Sequence, residues 1–192
     1  YYPVEFMAAL MTSVIDNTSK VAGYIYACKQ MNIGILPPDV NESQMEFTVE
    51  NGKIRFAMAA IKSLGRPTIQ AILKERGENG SFISMQDFVT RMSHALNRRA
   101  IENFVKAGAF DTFGHTRKSM MIVSESMLDS AIKHNKDSMT GQMSLFDFAA
   151  EEDKKAFEIR IPDVAAYTKE ELLGYEKEIL GVYVSGHPLD EY

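Results

Sequence analysis

Two short segments built around a glycine constrain the fold of this chain more than any other feature of its sequence. The first, IKSLGR at residues 61–66, and the second, FDTFGH at residues 110–115, both read apolar, charged, hydroxyl-bearing, apolar, glycine and basic. A glycine that follows a helix can adopt positive φ without a steric clash, and we expect Gly65 to reverse the chain in this way. Arg66 precedes Pro67, which suits a helix N-cap followed by proline at the first helical position. The repeat therefore predicts two similar junctions between helices.

Such a junction has the chemistry of an anion site. The first N–H groups of a helix have no intrahelical acceptor, and the helix dipole adds a partial positive charge there. Lys62, Arg66 and the Thr68 hydroxyl would add donors around Gly65. On a nucleic acid the matching anion is the backbone phosphate, whose recognition does not read sequence. The two segments therefore predict two phosphate contacts, with packing turns of no ligand-binding role as the alternative.

Charge is distributed unevenly along the 192 residues, whose formal net charge is −5. Residues 51–135 contain 13 Lys and Arg against 7 Asp and Glu, whereas residues 1–50 contain 2 against 6 and residues 136–192 contain 6 against 13. Both glycine segments thus lie in the region with a positive balance. This segregation is typical of a local anionic partner in a protein that is acidic overall.

The remaining pattern predicts a mainly α fold with one small β-hairpin. Apolar spacing predicts helical structure over residues 3–32, and Asn51-Gly52 between two alternating runs predicts the hairpin. We expect the next helix to end near Ser63 and another to follow Pro67.

Later helices carry recognisable N-caps at Ser84, Asn97 and Thr168. Directly after Asn97 come Arg98 and Arg99, at a helix start where the dipole disfavours cations. Either these two arginines pair with acidic residues elsewhere, or they face an anion.

Residues 136–165 are polar, acidic and weakly periodic, and we expect a flexible linker there. Within it, GQMSLFDF at residues 141–148 places the adjacent apolar side chains of Leu145 and Phe146 in a solvated stretch. Burying both on a partner would contribute ~3–6 kcal/mol, much of it lost to ordering the peptide. Such a contact is weak alone and effective when tethered. The alternative is that these side chains fold back onto the protein's own core.

Catalytic and metal-binding constellations are absent from the sequence. The histidines are scattered and the single cysteine, Cys28, lies in an apolar helical stretch that predicts a buried structural thiol. No apolar run approaches the ~20 residues that a membrane-spanning helix needs. The sequence therefore predicts no catalytic residue, no metal site and no membrane association. The four histidines are His94, His115, His134 and His187.

Longer motifs give the chain a resemblance to a known family. They are YPVEFMAALMT, MNIGILPPDVNES, IRFAMAAIKSLG, FVKAGAFDTFG, GQMSLF and EKEILGVYVSGHPLDEY, in this order. With them the chain resembles, over nearly its whole length, the alpha (catalytic) subunit of bacterial DNA polymerase III, the C-family of replicative polymerases. The stretches LPPDVNES, KAGAFD and GVYVSGHPLD are the most specific of these.

The resemblance implies a domain organisation. Residues 1–45 would end the helical fingers region, and residues 46–135 would form a β-hairpin plus a tandem helix-hairpin-helix module that binds duplex DNA. Residues 136–165 would be an acidic flexible linker with a motif for the ring-shaped sliding clamp. Residues 166–192 would be a helix leading toward an OB-fold domain.

The same resemblance implies site residues. The DNA-binding role falls on Lys62, Ser63, Leu64, Gly65, Arg66, Thr68, Gly108, Gly114, His115, Arg117 and Lys118. The clamp-binding role falls on Gln142, Met143, Ser144, Leu145 and Phe146. The second hairpin is less regular than the first, since His115 stands where the first has Arg66.

What the resemblance implies for the whole protein is a bacterial, cytoplasmic DNA-directed DNA polymerase, a nucleotidyltransferase that uses deoxynucleoside triphosphates and Mg²⁺ in DNA replication. The catalytic aspartates of the family lie N-terminal to the matching region, so this stretch is expected to be non-catalytic and to hold no cofactor of its own. Its expected partners are double-stranded DNA of any sequence, the sliding clamp and other replicase subunits. The alternatives are a helix-hairpin-helix protein of DNA repair or junction binding and a helical protein-interaction scaffold.

Overall fold

The computed structural model describes residues 2–139 and 158–188, which form seven α-helices and a small sheet. The N-terminal helices are α1 (Pro3–Ser13) and α2 (Thr18–Gln30), separated where the sequence predicted continuous helical structure. The Asn17 side chain accepts a 3.0 Å hydrogen bond from the N–H of Lys20 and so begins α2 as its N-cap. The mainly α fold class is confirmed.

The predicted hairpin is confirmed, and it belongs to a three-stranded sheet. Strand β2 (Thr48–Glu50) pairs antiparallel with β3 (Lys53–Arg55) across the turn at Asn51 and Gly52. Strand β1 (Ile35–Leu36), which the sequence did not predict, pairs in parallel with the other edge of β3. Parallel strands are joined by a long connection, so no short turn motif in the sequence indicates this pairing.

The basic region folds into four helices. These are α3 (Arg66–Asn79), α4 (Met85–Met92), α5 (Arg98–Ala107) and α6 (Arg117–Met139). The predicted N-caps are confirmed, since Ser84 accepts from the N–H of Asp87 at 3.0 Å and Asn97 accepts from that of Ala100 at 2.8 Å.

Before α3 the predicted helix is wrong. Only a single 3-10 turn at Met58–Ala60 is present there, and a second one at Asp111–Phe113 precedes α6. After the linker region comes α7 (Lys169–Leu180), with the capping box of Thr168 and Glu171 complete.

A single hydrophobic core connects these helices. Its aromatic centre is Phe88, whose ring lies 4.9 Å from that of Phe82, 5.6 Å from that of Phe104 and 5.1 Å from that of Phe110, between ring centroids. Edge-on and tilted aromatic contacts of this kind add about 0.5–1.5 kcal/mol each beyond burial. Since Phe110 opens the second glycine segment, the core itself holds that segment in place.

The domain boundaries stay predictions, but several contacts cross them. The pairing of β1 with β3 crosses residue 45, and α6 continues past residue 135. Part of the predicted linker contacts helices α4 and α6. The N–H of Ile159 donates a 2.9 Å hydrogen bond to Gln86 in α4, and that of Val164 donates at 3.3 Å to Ser119 in α6.

Candidate nucleic-acid interface

The first hairpin is held by the main chain of Lys62. Its N–H donates to the carbonyl of Ile179 in α7 at 3.0 Å, and its carbonyl accepts from the side-chain amide of Asn103 in α5 at 2.8 Å. Leu64 is buried at 8% exposure, beneath the turn. Between them Ser63 makes the reversal with φ of 60°. A non-glycine residue in this conformation costs of order 1–3 kcal/mol, so the anchors on both sides of Ser63 determine the turn.

The predicted conformation of Gly65 is wrong. Its φ is −72° and its ψ is 145°, an extended conformation, and Gly65 rather than Arg66 is the N-cap of α3. The reversal has already taken place at Ser63, so the turn does not use the freedom that glycine has at positive φ. Arg66 becomes the first helical residue and Pro67 the second.

The surroundings of Gly65 show that the chain does not require a glycine there. Gly65 is exposed, and an added Cβ would approach nothing closer than the Cδ of Pro67 at 3.7 Å. The α3 start has no side-chain cap, and the N–H groups of Arg66 and Thr68 have no acceptor among the described residues. Open space, unpaired amides and the positive end of a helix dipole together form a surface that an anion can approach closely.

The charged side chains around this helix start differ in how freely they face solvent. Lys62 is exposed and makes no ion pair in the described part of the chain. Arg66 lies 3.4 Å from Asp16, with 55% of its side chain and 85% of that of Asp16 exposed, which makes this a weak surface pair that a phosphate can replace. The Thr68 hydroxyl instead donates to the carbonyl of Ala95 at 3.2 Å. Lys62 and Arg66 are therefore the available cations of the first hairpin.

The second hairpin resembles the first in outline and differs at its helix start. Gly114 is exposed with φ of 85°, and no atom lies within 4 Å of where its Cβ would stand. The Thr116 hydroxyl accepts from the N–H of Ser119 at 3.1 Å and donates to the carbonyl of Val164 at 3.3 Å. Because Thr116 caps α6, this helix start offers fewer free amides than that of α3. Its exposed basic side chains are those of His115 and Lys118, the latter 5.8 Å from the ring centre of Tyr167.

Three residues predicted to contact DNA, Leu64, Gly108 and Arg117, are buried. Arg117 is 8% exposed and pairs with Asp111 at 2.8 Å and with Glu176 at 3.2 Å. Burial opposes its charge, but the hydrogen bonds and charges of Asp111 and Glu176 raise the pKa of Arg117 above its ordinary value. Gly108 is a buried C-cap of α5 with φ of 81°. Buried in this way, neither Arg117 nor Gly108 is placed to contact a phosphate directly.

The two hairpins are fastened to neighbouring turns of the same helix pair. The first is bonded to Asn103 and Ile179, as described above. Through Arg117, the second is bonded to the carbonyl of Lys106 at 3.2 Å and to the carboxylate of Glu176 at 3.3 Å. On each helix the two contact positions are three residues apart, about one turn. Both hairpins are therefore anchored to the same two helices, about one turn apart, and Gly65 and Gly114 are both exposed.

A further exposed cation flanks the first hairpin. Arg98 pairs with Glu102 at 2.9 Å and with Glu125 at 2.8 Å, whereas Arg99 is exposed and makes no ion pair among the described residues. Arg99 lies one turn before Asn103 on the same face of α5, and Asn103 is bonded to the first hairpin. The sequence did not decide whether these two arginines pair with acidic residues or face an anion. In the structure Arg98 is paired, and Arg99 is available to a ligand.

The remaining predicted features concern Cys28, metal binding, membrane-spanning helices and the clamp motif. Cys28 is fully buried, as predicted, and burial raises the pKa of its thiol. Within residues 2–139 and 158–188, no three His, Cys, Asp or Glu side chains converge to hold a metal ion. No helix in the same ranges has both the length and the apolar character needed to cross a bilayer. The clamp motif at residues 142–146 lies outside the described residues.

Comparisons with known proteins agree with this geometry. A family model for the helix-hairpin-helix motif matches residues 32–120, which include both glycine hairpins. DNA polymerase III subunit alpha of Campylobacter jejuni is 41% identical over 100% of this chain, and that of Saccharopolyspora erythraea is 39% identical over 98%. The resemblance to the DNA polymerase III alpha subunits is confirmed.

The match concerns one region of much longer proteins. The chain spans 16% of the length of these two relatives and of the subunit from Mycobacterium tuberculosis, which is 37% identical over 98% of the chain. The helix-hairpin-helix motif therefore lies within a region that this chain shares with DNA polymerase III alpha subunits.

Proposed function

We propose that this chain holds duplex DNA through its backbone phosphates, without reading sequence, as a non-catalytic region of a replicative DNA polymerase. The observation that carries the proposal is the start of α3, where Gly65 leaves open space in front of amides that no side chain caps. Nothing in the chain itself requires a glycine there, whereas a phosphate approaching the main chain does. Lys62, Arg66, Arg99, His115 and Lys118 supply positive or ionisable groups around this contact and the second hairpin.

The test is duplex binding of the intact protein as a function of salt. The dissociation constant is measured by fluorescence anisotropy for two duplexes of unrelated sequence between 50 and 300 mM KCl. Phosphate binding predicts equal affinities for both duplexes and a steep loss with salt. Arg66→Glu and Lys62→Glu should each weaken binding by about tenfold, the equivalent of a charge-assisted contact turned repulsive.

Lys74→Glu is the matched control. It makes the same charge change on the outer part of α3, where Lys74 is 73% exposed and lies 4.0 Å from Glu78. It should change affinity less than twofold. If Arg66→Glu, Lys62→Glu and Lys74→Glu weakened binding equally, binding would depend only on net charge and not on the first hairpin. The proposal would be overturned if Arg66→Glu and Lys62→Glu left the affinity unchanged.

The activity and location of the whole protein belong to the same proposal. The named relatives support a DNA-directed DNA polymerase that extends DNA from deoxynucleoside triphosphates in the bacterial cytoplasm, together with other replicase subunits. The described residues do not fit a Mg²⁺ site, because no set of three acidic or histidine side chains converges among them. By the family resemblance, Mg²⁺ would be held by the catalytic aspartates of the polymerase, which lie N-terminal to the matching region. The relatives favour the polymerase over the DNA-repair protein and the interaction scaffold.

Tethering to the sliding clamp is a separate part of the proposal, supported by the sequence of residues 142–146. A combined Leu145→Ala and Phe146→Ala change should abolish clamp binding in surface plasmon resonance, because it removes both apolar anchors. Duplex binding should stay within twofold of wild type. Phe148→Ala, which removes an aromatic ring from the same stretch, is the control and should retain clamp binding. If Phe148→Ala abolished clamp binding and the Leu145→Ala and Phe146→Ala variant retained it, the clamp motif would lie elsewhere in the linker.

A further inference from the structure

Helix α7 is packed into the hairpin module. Leu173, Ile179 and Leu180 are buried at 3%, 4% and 1% exposure. The carbonyl of Ile179 accepts the N–H of Lys62 from the first hairpin. On the outer side the ammonium of Lys106 lies 3.2 Å from the carboxylate of Glu178. Both apolar and polar contacts therefore join α7 to the elements that carry the hairpins.

Glu176 lies at the centre of this docking, with 1% of its surface exposed. Its Oε2 atom accepts hydrogen bonds from the N–H of Val184 at 2.9 Å and from that of Ser185 at 3.0 Å. Its Oε1 atom accepts from the Ser185 hydroxyl at 2.7 Å and from the Arg117 guanidinium at 3.2 Å. One carboxylate thus joins the turn after α7 to the first residue of α6.

Arg117 continues the connection into the second hairpin. Its Nε and Nη2 atoms donate to the two oxygens of Asp111, in the 3-10 turn before Gly114, at 3.0 and 2.8 Å. Its Nη1 atom donates to the carbonyl of Lys106 at the end of α5. The planar guanidinium fixes several directions at once, which an ammonium cannot do. The two carboxylates outnumber the one cation, so this cluster would repel a phosphate rather than bind it.

We infer that Arg117 and Glu176 are positioning residues, which make the DNA contact of the second hairpin depend on the docking of α7. This inference rests on the proposed function, since it assigns a role in DNA binding to residues that do not touch DNA. Lys118, next to Arg117 on α6, is the exposed cation whose placement the connection determines. In the part of the chain that the structure describes, Arg117 makes no hydrogen bond to the first hairpin, whose Lys62 main chain has its own contacts with Asn103 and Ile179.

A double-mutant cycle in the intact protein tests the inference. Arg117→Lys keeps the positive charge and removes the guanidinium that donates to Asp111, Lys106 and Glu176. In wild type, Lys118→Ala should weaken duplex binding about fivefold at 100 mM KCl and lower the salt slope by about one. In the Arg117→Lys background the same change should cost less than twofold, because Lys118 is no longer held against the duplex. Arg66→Ala, in the first hairpin, should keep its full effect of about fivefold in both backgrounds.

A purely structural role for Arg117 would weaken the contributions of Lys118 and Arg66 alike, and that result would overturn the inference. A full effect of Lys118→Ala in the Arg117→Lys background would also overturn it while leaving the proposed function intact. The proposed function itself fails if neither Lys118→Ala nor Arg66→Ala changes binding in otherwise wild-type protein. The three results are distinguishable.

A second measurement needs no substitution. In native-state hydrogen exchange of the unmodified protein, the amides of Phe113 and Gly114 should open together with those of Val184 and Ser185, at one free energy and with one denaturant dependence. Separate opening of these two groups of amides would contradict the inference. This measurement decides the matter even if Arg117→Lys does not fold.

Discussion

The guanidinium of Arg117 occupies the space in which Gly108 would carry a side chain. A Cβ built on Gly108 would overlap the guanidinium, lying 2.9 Å from its central carbon and equally close to a carboxylate oxygen of Asp111. Gly108 also has φ of 81°, which disfavours any other residue. The packing of this buried ion cluster therefore depends on the absence of one side chain.

Gly108→Ala should accordingly lower the free energy of unfolding by about 2–4 kcal/mol, the sum of backbone strain and overpacking. Gly114→Ala is the matched control, because Gly114 has φ of 85° but open space around it. It should cost only about 1 kcal/mol, the strain alone. Chemical denaturation monitored by circular dichroism measures both, and equal losses would mean that the guanidinium moves aside freely.

Gly65→Ala should separate stability from DNA binding. Gly65 is in an extended conformation with room for a Cβ, so the free energy of unfolding should change by less than about 0.5 kcal/mol. Duplex affinity should fall at least about fivefold, because the new methyl group stands where the phosphate approaches the amides. Anisotropy titration measures the affinity. Unchanged affinity would show that no ligand comes close to the main chain there.

Gly77→Ala is the control for that substitution. Gly77 lies in the same helix, is exposed and has no atom within 4 Å of its Cβ position. Alanine should stabilise α3 by ~0.5–1 kcal/mol through its helix propensity and leave duplex affinity unchanged.

Adjacent arginines at the start of α5 provide a matched pair. Arg99→Ala should weaken duplex binding about fivefold and reduce the salt slope by about one, since Arg99 is exposed and unpaired within the described chain. Arg98→Ala should change binding less than twofold, because Arg98 is already paired with Glu102 and Glu125. Salt titrations of both variants by anisotropy give the comparison. If Arg98→Ala weakened binding more than Arg99→Ala, the DNA interface would not lie beside the first hairpin.

Acid should destabilise the contact between α3 and α4 in a defined pH range. A hydrogen bond from Arg91, 2.9 Å away, holds the pKa of Glu75 below its ordinary value. The stability that this pair contributes is complete above the pKa of an unfolded Glu, about 4.3. It is lost as the pH falls through the lower pKa of the folded protein.

Glu75→Gln should therefore lower the melting temperature at pH 7 and reduce the loss of stability between about pH 5 and pH 3. Glu78→Gln is the control, since Glu78 is 61% exposed and only 4.0 Å from Lys74. It should leave the melting temperature and its pH dependence nearly unchanged. Parallel pH curves for wild type and Glu75→Gln would show that the pair contributes nothing.

Local chemistry made several elements predictable from the sequence. The N-caps at Ser84, Asn97 and Thr168 and the turn at Asn51-Gly52 depend on hydrogen bonds and φ angles within a few residues. The glycine repeat likewise marked both hairpins, although it misplaced the reversal. That reversal is at Ser63 because distant groups, Asn103 and Ile179, hold the main chain of Lys62. The local sequence around Gly65 cannot indicate these contacts, because the residues that make them are far away in the chain.

By itself, the sequence determined that the chain would be mainly helical, that two glycine hairpins would lie in its basic region and that it would resemble one polymerase family. Only the tertiary structure decided which cations remain available. Arg117 and Arg99 both follow a predicted turn or cap in a basic region, yet Arg117 is neutralised by Glu176, 59 residues away in the chain. Periodicity and capping act over a few residues, whereas the burial of a charge depends on elements that meet only when the core forms. That is why the two glycine hairpins could be located from the sequence, whereas the burial and pairing of the basic residues beside them could not.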